Sequence, residues 1–190
     1  MKPLLPFVFG AVLGAFGSGA LAGELADAGA QADAQVERGQ YLDALATLSA
    51  AQDKIWNKSQ LLFRKTIFVA SDPQGFGIYD LHEGDRFKRS ESIILYAEPI
   101  GYGFRKDGEL NVIDLSLDFE VRAKDGRLIG GQKAFATPQL RSRVQNHEFF
   151  VKVVYDFSAV PAGDYEVKTT VNDRTSGKSG SFTLPFTLTE

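Results

Sequence analysis

The feature that most constrains the fold is a strict alternation of apolar and polar residues between Asn111 and Arg122. Successive side chains on a β-strand point to opposite faces, so a period of two is the pattern of a half-buried strand. The apolar set is Ile113, Leu115, Leu117, Phe119 and Val121, and the polar set is Asp114, Ser116, Asp118, Glu120 and Arg122. This alternation predicts a strand with one face against a hydrophobic core.

Six further segments after residue 61 are predicted as strands, because they are rich in β-branched and aromatic side chains that suit a pleated surface. They lie at residues 65–71, 92–98, 128–135, 149–157, 165–171 and 182–188. Asp107-Gly108 and Asp125-Gly126 fit the tight turns of hairpins. Pro185 cannot donate to a ladder, so the last strand is predicted to be an edge or to be bulged there. Several short strands with regular turns indicate an antiparallel sandwich.

Residues 23–60 follow a helical period instead. Gly39 separates a first helix over Glu24–Glu37 from a second helix that continues to about residue 60. The second helix carries apolar groups with the i, i+3, i+4, i+7 spacing that is typical of one buried face. Those groups are Tyr41, Ala44, Leu45, Leu48, Ala51 and Ile55. Trp56 is predicted to anchor this helix to the domain that follows.

Residues 1–22 have the pattern of a signal peptide. Lys2 precedes an uncharged apolar run, Leu4–Ala22, that ends in the small-residue motif Ala20-Leu21-Ala22. Cleavage near Ala22 is therefore expected, with a periplasmic or secreted product. The alternative is an uncleaved anchor, since the run is just long enough to span a bilayer. The membrane would then be a partner only through this segment.

The segment Val160–Val167 resembles the entry to the penultimate strand of fibronectin type III and related immunoglobulin-like domains. In those domains a tyrosine after a proline-glycine turn hydrogen-bonds back across the corner, which is the role implied for Tyr165. The resemblance implies a mainly β protein, with an antiparallel immunoglobulin-like β-sandwich over residues 61–190 preceded by a short α-helical hairpin over residues 23–60.

Two other resemblances concern the N-terminal half and the overall plan. Residues 39–51 resemble the second-helix half of a tetratricopeptide repeat. An amphipathic hairpin that packs on the sandwich or on a partner is the alternative interpretation. A signal peptide, short helices and one sandwich together are similar to the plan of exported bacterial proteins to which no activity is attached.

The composition excludes several classes of function. Cysteine is absent, so no disulfide, thiol nucleophile or thiolate metal site is expected. The net charge is −3 and neither half of the chain is strongly basic, so no positively charged surface for nucleic acid is expected. His82 and His147 lie in no metal-ligand spacing, and Asp114, Asp118 and Glu120 are expected to form a solvated strand face. We therefore expect a protein that is not an enzyme, with no catalytic residues, no metal and no cofactor.

Two glycine-aromatic segments, residues 72–79 and 98–104, are the candidate binding loops. Tyrosine and phenylalanine offer flat contact area at low entropic cost, and glycine allows close backbone approach. The candidate binding residues are Tyr79, Glu98, Tyr102 and Phe104. The alternative is that these aromatic side chains only cover the end of the sandwich.

The sequence thus favours a non-catalytic periplasmic binding or assembly module that acts through sandwich loops or the helical hairpin. Its expected partner is an envelope protein or a polysaccharide. A carbohydrate- or polymer-binding module that uses an aromatic loop patch is the alternative, and strand addition at the Pro185-bearing edge is another.

Overall fold

The computed structural model describes residues 18–190. The described chain is mainly β, and two N-terminal helices form a hairpin, as the change of period predicts. It divides into two compact units at the Lys54–Ile55 junction. The predicted signal peptide lies outside the described residues except for residues 18–22, which are helical.

The hairpin consists of α1 (Ser18–Glu37) and α2 (Tyr41–Lys58). Gly39 ends α1 with a φ of 71°, a left-handed conformation that glycine adopts without steric cost. The amides of Gly39 and Gln40 donate to carbonyls of the last turn, each at 2.9 Å, so carbonyls that the helix leaves open are satisfied. Gly39 therefore sets the boundary between the helices, as predicted.

In the described chain ten strands follow the hairpin, and each of the seven predicted segments overlaps one of them. The predicted segment 149–157 is four residues longer than its strand. Their bounds are β1 (Leu62–Val69), β2 (Arg86–Lys88), β3 (Ile93–Ile100), β4 (Arg105–Asp107), β5 (Leu110–Ala123), β6 (Leu128–Ala136), β7 (Gln139–Ser142), β8 (Val151–Tyr155), β9 (Gly163–Asp173) and β10 (Ser179–Thr189). The three strands that the sequence pattern missed, β2, β4 and β7, have three or four residues each, too few for an alternation to be recognised.

The strands form two sheets. The small sheet has the order β1-β3-β8 and is antiparallel. The large sheet has the order β2-β10-β9-β5-β4, and β6 and β7 also pair with β5. β2 runs parallel to β10, so the large sheet is mixed rather than purely antiparallel.

One apolar cluster contains side chains from both sheets. The predicted apolar face of β5 lies in it, with Leu115 and Leu117 fully buried. The small sheet contributes Leu95 and Val153 among others. Tyr155 of β8 forms a buried hydrogen bond of 2.6 Å with Thr169 of β9, which satisfies both hydroxyls inside the cluster. The period of two therefore predicted the core face of β5 correctly.

The predicted buried face of α2 is wrong in part. Its small residues are enclosed: Ala44 is 4% exposed and Ala51 is half-buried. Its bulky residues are open to solvent, with exposures of 64% for Tyr41, 65% for Leu45, 49% for Leu48 and 51% for Ile55. Ala32 of α1 is also buried, and Thr47 donates to Gln35 at 2.9 Å. The two helices thus pack through small side chains, which allow close approach and leave the large ones outside.

The prediction that the last strand is an edge holds at Pro185 but not at the end of the strand. β10 lies between β9 and β2, because Thr187–Thr189 pair with Arg86–Lys88. Pro185 precedes this pairing and faces only Glu166 of β9, so its missing donor costs no ladder bond. The proline is tolerated because β2 is short.

Residues 55–61 are held by close contacts in the second unit. Lys178 donates to the carbonyls of Asn57 at 3.0 Å and Gly101 at 2.8 Å. A cation at the C-terminal end of a helix also interacts favourably with the helix dipole. Gly180 of β10 lies directly against Leu61, where a Cβ would collide with the carbonyl oxygen and come within 2.9 Å of Cδ2. The chain therefore enters β1 along a path that has no room for a side chain at position 180.

Gly180→Ala should lower the free energy of unfolding by about 1–3 kcal/mol, because either β10 or Leu61 must move. Gly130→Ala in β6 is the matched control, since a Cβ there meets nothing within 4 Å. Urea unfolding followed by circular dichroism measures both. Equal stabilities of the two variants would contradict the close contact.

Alkaline pH should destabilise the fold through Tyr155. Burial raises the pKa of its hydroxyl to about 12, and the hydrogen bond between this hydroxyl and that of Thr169 lowers it in part. The native state therefore keeps this proton where the unfolded state, with a pKa near 10, has lost it. The stabilisation is complete below about pH 10 and is lost as the pH rises through about 12.

Tyr155→Phe should show a shallower loss of unfolding free energy above about pH 10 in urea titrations. Tyr41→Phe, at a position 64% exposed, should match the wild-type slope.

Candidate functional site

The four predicted binding residues fall into two separate groups. Glu98 of β3 is buried and accepts a hydrogen bond of 2.9 Å from Tyr96. The Tyr96 ring lies 4.6 Å from the half-buried ring of Tyr79. Lys65, directly opposite Glu98 on β1, donates to the Tyr79 hydroxyl at 2.7 Å. Tyr79 and Glu98 therefore belong to one hydrogen-bonded group on the small sheet.

Contacts with this group fix the first glycine-aromatic segment, residues 72–79, against the small sheet. The amide of Gly77 donates to the Tyr96 hydroxyl at 2.8 Å, and Asp72 forms an ion pair of 2.6 Å with Lys152 of β8. The guanidinium of Arg64 lies 5.9 Å from the Phe76 ring centroid, within cation–π range. Burial raises the pKa of Tyr96 to about 12, so its hydroxyl stays protonated and can donate to Glu98. Residues 72–79 thus cover the small sheet instead of projecting as a free loop.

Tyr102 and Phe104 belong to the second group. Tyr102 is fully buried, its carbonyl accepts from the Trp56 indole at 2.7 Å, and its hydroxyl donates to the Asn146 carbonyl at 2.8 Å. The Trp56 and Tyr102 rings meet edge to face at 5.0 Å. The half-buried Phe104 ring lies 5.5 Å from that of Tyr102. Trp56, predicted as an anchor, is 6% exposed and part of this core.

No ring contact among residues 18–190 joins Tyr79 to Tyr102 or Phe104. The two glycine-aromatic segments therefore do not combine their rings into one aromatic patch. Tyr102 offers no surface for a ligand, and the Tyr79 ring is contacted both by Tyr96 and by the Lys65 ammonium, which lies 5.4 Å from its centroid. Their positions fit the alternative interpretation, in which these aromatic side chains cover the core instead of binding a ligand.

The polar face of β5 is occupied by structural contacts. Asp118 accepts from the Ala134 amide at 2.7 Å and from Asn172 at 3.1 Å. Ala134 has a φ of 49°, so the carboxylate of Asp118 stabilises a strained residue of β6. Asp114 pairs with Arg174 at 3.2 Å. Asp114 and Asp118 therefore organise neighbouring strands rather than facing open solvent, whereas Glu120 is exposed as expected and pairs with Arg122 of the same strand at 3.0 Å.

The two histidines lie in different aromatic surroundings. His82 stacks on Phe87 at 4.2 Å, and His147 meets Trp56 edge to face at 4.4 Å. In the described part of the chain, no three His, Asp or Glu side chains lie close enough to hold a metal ion.

One side of α2 exposes a series of large apolar side chains. Tyr41, Leu42, Leu45 and Leu48, here termed the α2 stripe, are between 49% and 84% exposed. Positions 41, 45 and 48 follow the four-three spacing of a coiled-coil seam, so their side chains form one continuous line. Across residues 18–190, neither helix is long and apolar enough to span a bilayer. The sequence pattern identified Tyr41, Leu45 and Leu48, but not Leu42, and predicted that their face packs on the sandwich or on a partner. The choice stayed open because periodicity marks an apolar face without stating what covers it.

The N-terminal unit that carries the α2 stripe has an excess of acidic side chains. Residues 18–54 carry six acidic and two basic side chains, a net charge of −4, whereas residues 55–190 carry eighteen of each. Glu24 pairs with Lys54 at 2.8 Å. Within the described chain, no basic side chain forms an ion pair with the other exposed acids, Asp27, Asp33, Glu37 and Asp43. The hairpin thus combines an open apolar line with an excess of negative charge.

Comparison with known proteins gives little further guidance. No family profile matches the chain, and no curated protein matches it in sequence. Among solved structures, the chain is similar to Spo0M, a sporulation control protein from Bacillus subtilis, with 12% identity and a TM-score of 0.34. The match covers 70% of this chain and 50% of that one, so the chain spans about half the length of that structure. A likeness this low assigns no activity.

Tyr102→Ala should act on stability rather than on a binding surface. Removing a large buried ring costs about 3–5 kcal/mol of unfolding free energy. Tyr79→Ala, at a half-buried position, should cost clearly less and leave a cooperative transition. Urea unfolding of both variants, followed by far-ultraviolet circular dichroism, measures the difference. A Tyr102→Ala protein as stable as wild type would show that this ring is not part of the core.

Proposed function

We propose that this protein is a non-catalytic binding or assembly module whose contact surface is the helical hairpin, with the α2 stripe at its centre. The observation that carries the proposal is the exposure of four adjacent large apolar side chains on one helix. Scattered exposed leucines are ordinary, but a continuous apolar line is typical of a surface that another protein covers.

The energetics support a modest, reversible contact. Burying one leucine-sized side chain contributes about 1.5–3 kcal/mol, so the four side chains together contribute roughly 6–12 kcal/mol. Association and side-chain ordering cost about 4–15 kcal/mol, which offsets most of that gain. The α2 stripe alone therefore supports weak binding, and additional contacts must supply the rest.

The carbohydrate alternative has less support. It requires Tyr79, Tyr102 and Phe104 on one accessible surface, whereas Tyr102 is buried and the other two rings lie in separate groups. The strand-addition alternative is weakened as well, because β2 pairs with the end of β10.

We also propose the finer assignments of fold and location. An immunoglobulin-like sandwich over residues 61–190 is supported by the apolar cluster common to both sheets and by Tyr165, whose hydroxyl donates to the Pro161 carbonyl at 2.8 Å. Export to the periplasm, with cleavage near Ala22, rests on the pattern of residues 1–22. The partner would then be a protein of the cell envelope.

The experiment that tests the function places a photo-crosslinking amino acid at Leu45 or at Ala50 of α2 in intact cells. Both positions are exposed, but helical geometry puts Ala50 on the side opposite the α2 stripe. We expect a discrete crosslinked protein from position 45 and none from position 50. Equal crosslinking from both positions, or none from either, would overturn the proposal.

Leu48→Glu should abolish the crosslink formed at position 45, because a charge then replaces an apolar contact. Ala50→Glu, with the same charge on the opposite side of the helix, should leave the crosslink intact. Both substitutions are at exposed positions, so each should change the unfolding free energy by less than about 0.5 kcal/mol. Thermal unfolding of the purified variants checks that the folds are equivalent.

A further inference from the structure

We infer that the occupant of the α2 stripe is an amphipathic helix of another protein that carries lysines or arginines beside its apolar face. This inference rests on the proposed function and adds the chemistry of the partner. Two observations carry it: the spacing of the stripe and the uncompensated negative charge of the hairpin.

The spacing determines the shape of the partner. Tyr41, Leu45 and Leu48 stand at i, i+4 and i+7, the spacing at which side chains of one helix insert between those of a facing helix. The stripe is a narrow line rather than a pocket, so it suits an elongated element that lies along α2. A helix with its own apolar line meets this requirement.

The negative charge of the hairpin determines which side chains flank the apolar line of the partner. Asp33 and Glu37 of α1 are exposed and have no basic partner in the described chain. Asp43 is exposed too, but it lies seven residues before Ala50 and therefore on the side of α2 opposite the stripe. Basic side chains at the borders of the partner's apolar face would pair with Asp33 and Glu37 and would accelerate association by electrostatic steering. The rest of the chain is balanced in charge, so this steering is specific to the hairpin.

The same charge argues against two other occupants. A second copy of this chain would bring a second acidic hairpin against the first, and like charges repel. Residues 18–58 carry six acidic and three basic side chains, a net charge of −3. An anionic membrane surface would repel the hairpin for the same reason, although amphipathic helices with basic faces do bind such membranes. The complement of an acidic apolar surface is a basic apolar one.

The test uses the full chain and three synthetic amphipathic helices that share leucines at the a and d positions. They carry lysine, glutamine or glutamate at the e and g positions. We expect the lysine peptide to bind at least about tenfold more tightly than the glutamine peptide in fluorescence anisotropy, and the glutamate peptide to bind undetectably. Raising the salt from about 0.05 to about 0.5 M should remove most of the lysine advantage.

Two variants separate the contributions. Asp33→Asn/Glu37→Gln should reduce binding of the lysine peptide to the level of the glutamine peptide, whereas Asp43→Asn, on the opposite side of α2, should change it less. Leu48→Glu should weaken binding of the lysine and glutamine peptides, and Ala50→Gln should change neither. Weaker binding of the lysine peptide by the Asp33→Asn/Glu37→Gln variant than by wild type, with matching circular dichroism spectra, supports the inference.

Other outcomes overturn it. Equal affinity for the lysine and glutamine peptides would refute the basic partner, while a crosslink at position 45 would still uphold the proposed protein contact. Dimerisation in sedimentation velocity that Leu48→Glu abolishes would identify a second copy as the occupant. Flotation with anionic phosphatidylglycerol vesicles would identify a lipid surface. Absence of both peptide binding and the crosslink would refute the inference and the proposed function together.

Discussion

Burial of the β5 apolar face against the small sheet is the interaction on which the rest of the structure depends. β5 is the longest strand, with 14 residues, and it pairs with β4, β6, β7 and β9. Leu115 and Leu117 lie in the apolar cluster that also contains Leu95 and Val153 of the small sheet. Because the chain has no cysteine, no disulfide supports this core, and its hydrophobic packing holds the second unit together.

The aromatic residues serve this core in two ways. Some fill it, as Tyr155 does beside Thr169, with its hydroxyl satisfied inside the cluster. Others cover it from outside, as Tyr79 does over Tyr96 on the small sheet. Tyrosine suits both positions because it combines a large apolar ring with a polar end that needs one partner. The abundance of aromatic side chains in this chain is therefore explained by structure before any ligand is considered.

The helical hairpin is packed differently from the core of the two sheets. Its two helices are in contact through alanines, so little apolar area is buried between them, and the leucines of α2 stay exposed. Helices of this length gain most of their stability from tertiary packing, so a hairpin of this kind gains from contact with another surface. An exposed apolar line and an acidic excess are the two features from which we infer a partner of opposite charge.

The sequence by itself determined the mainly β character of residues after 61, the helical hairpin with its break at Gly39, and the inward face of β5. These features are local: each depends on the two-residue or 3.6-residue period of side-chain directions along one element. Only the tertiary structure decided that β2 pairs beside the proline-bearing strand, that Tyr102 is buried while Tyr79 covers a sheet, and that the large side chains of α2 are open. Each of these depends on which distant segment comes to lie beside a given face, and a period along one element carries no information about that neighbour.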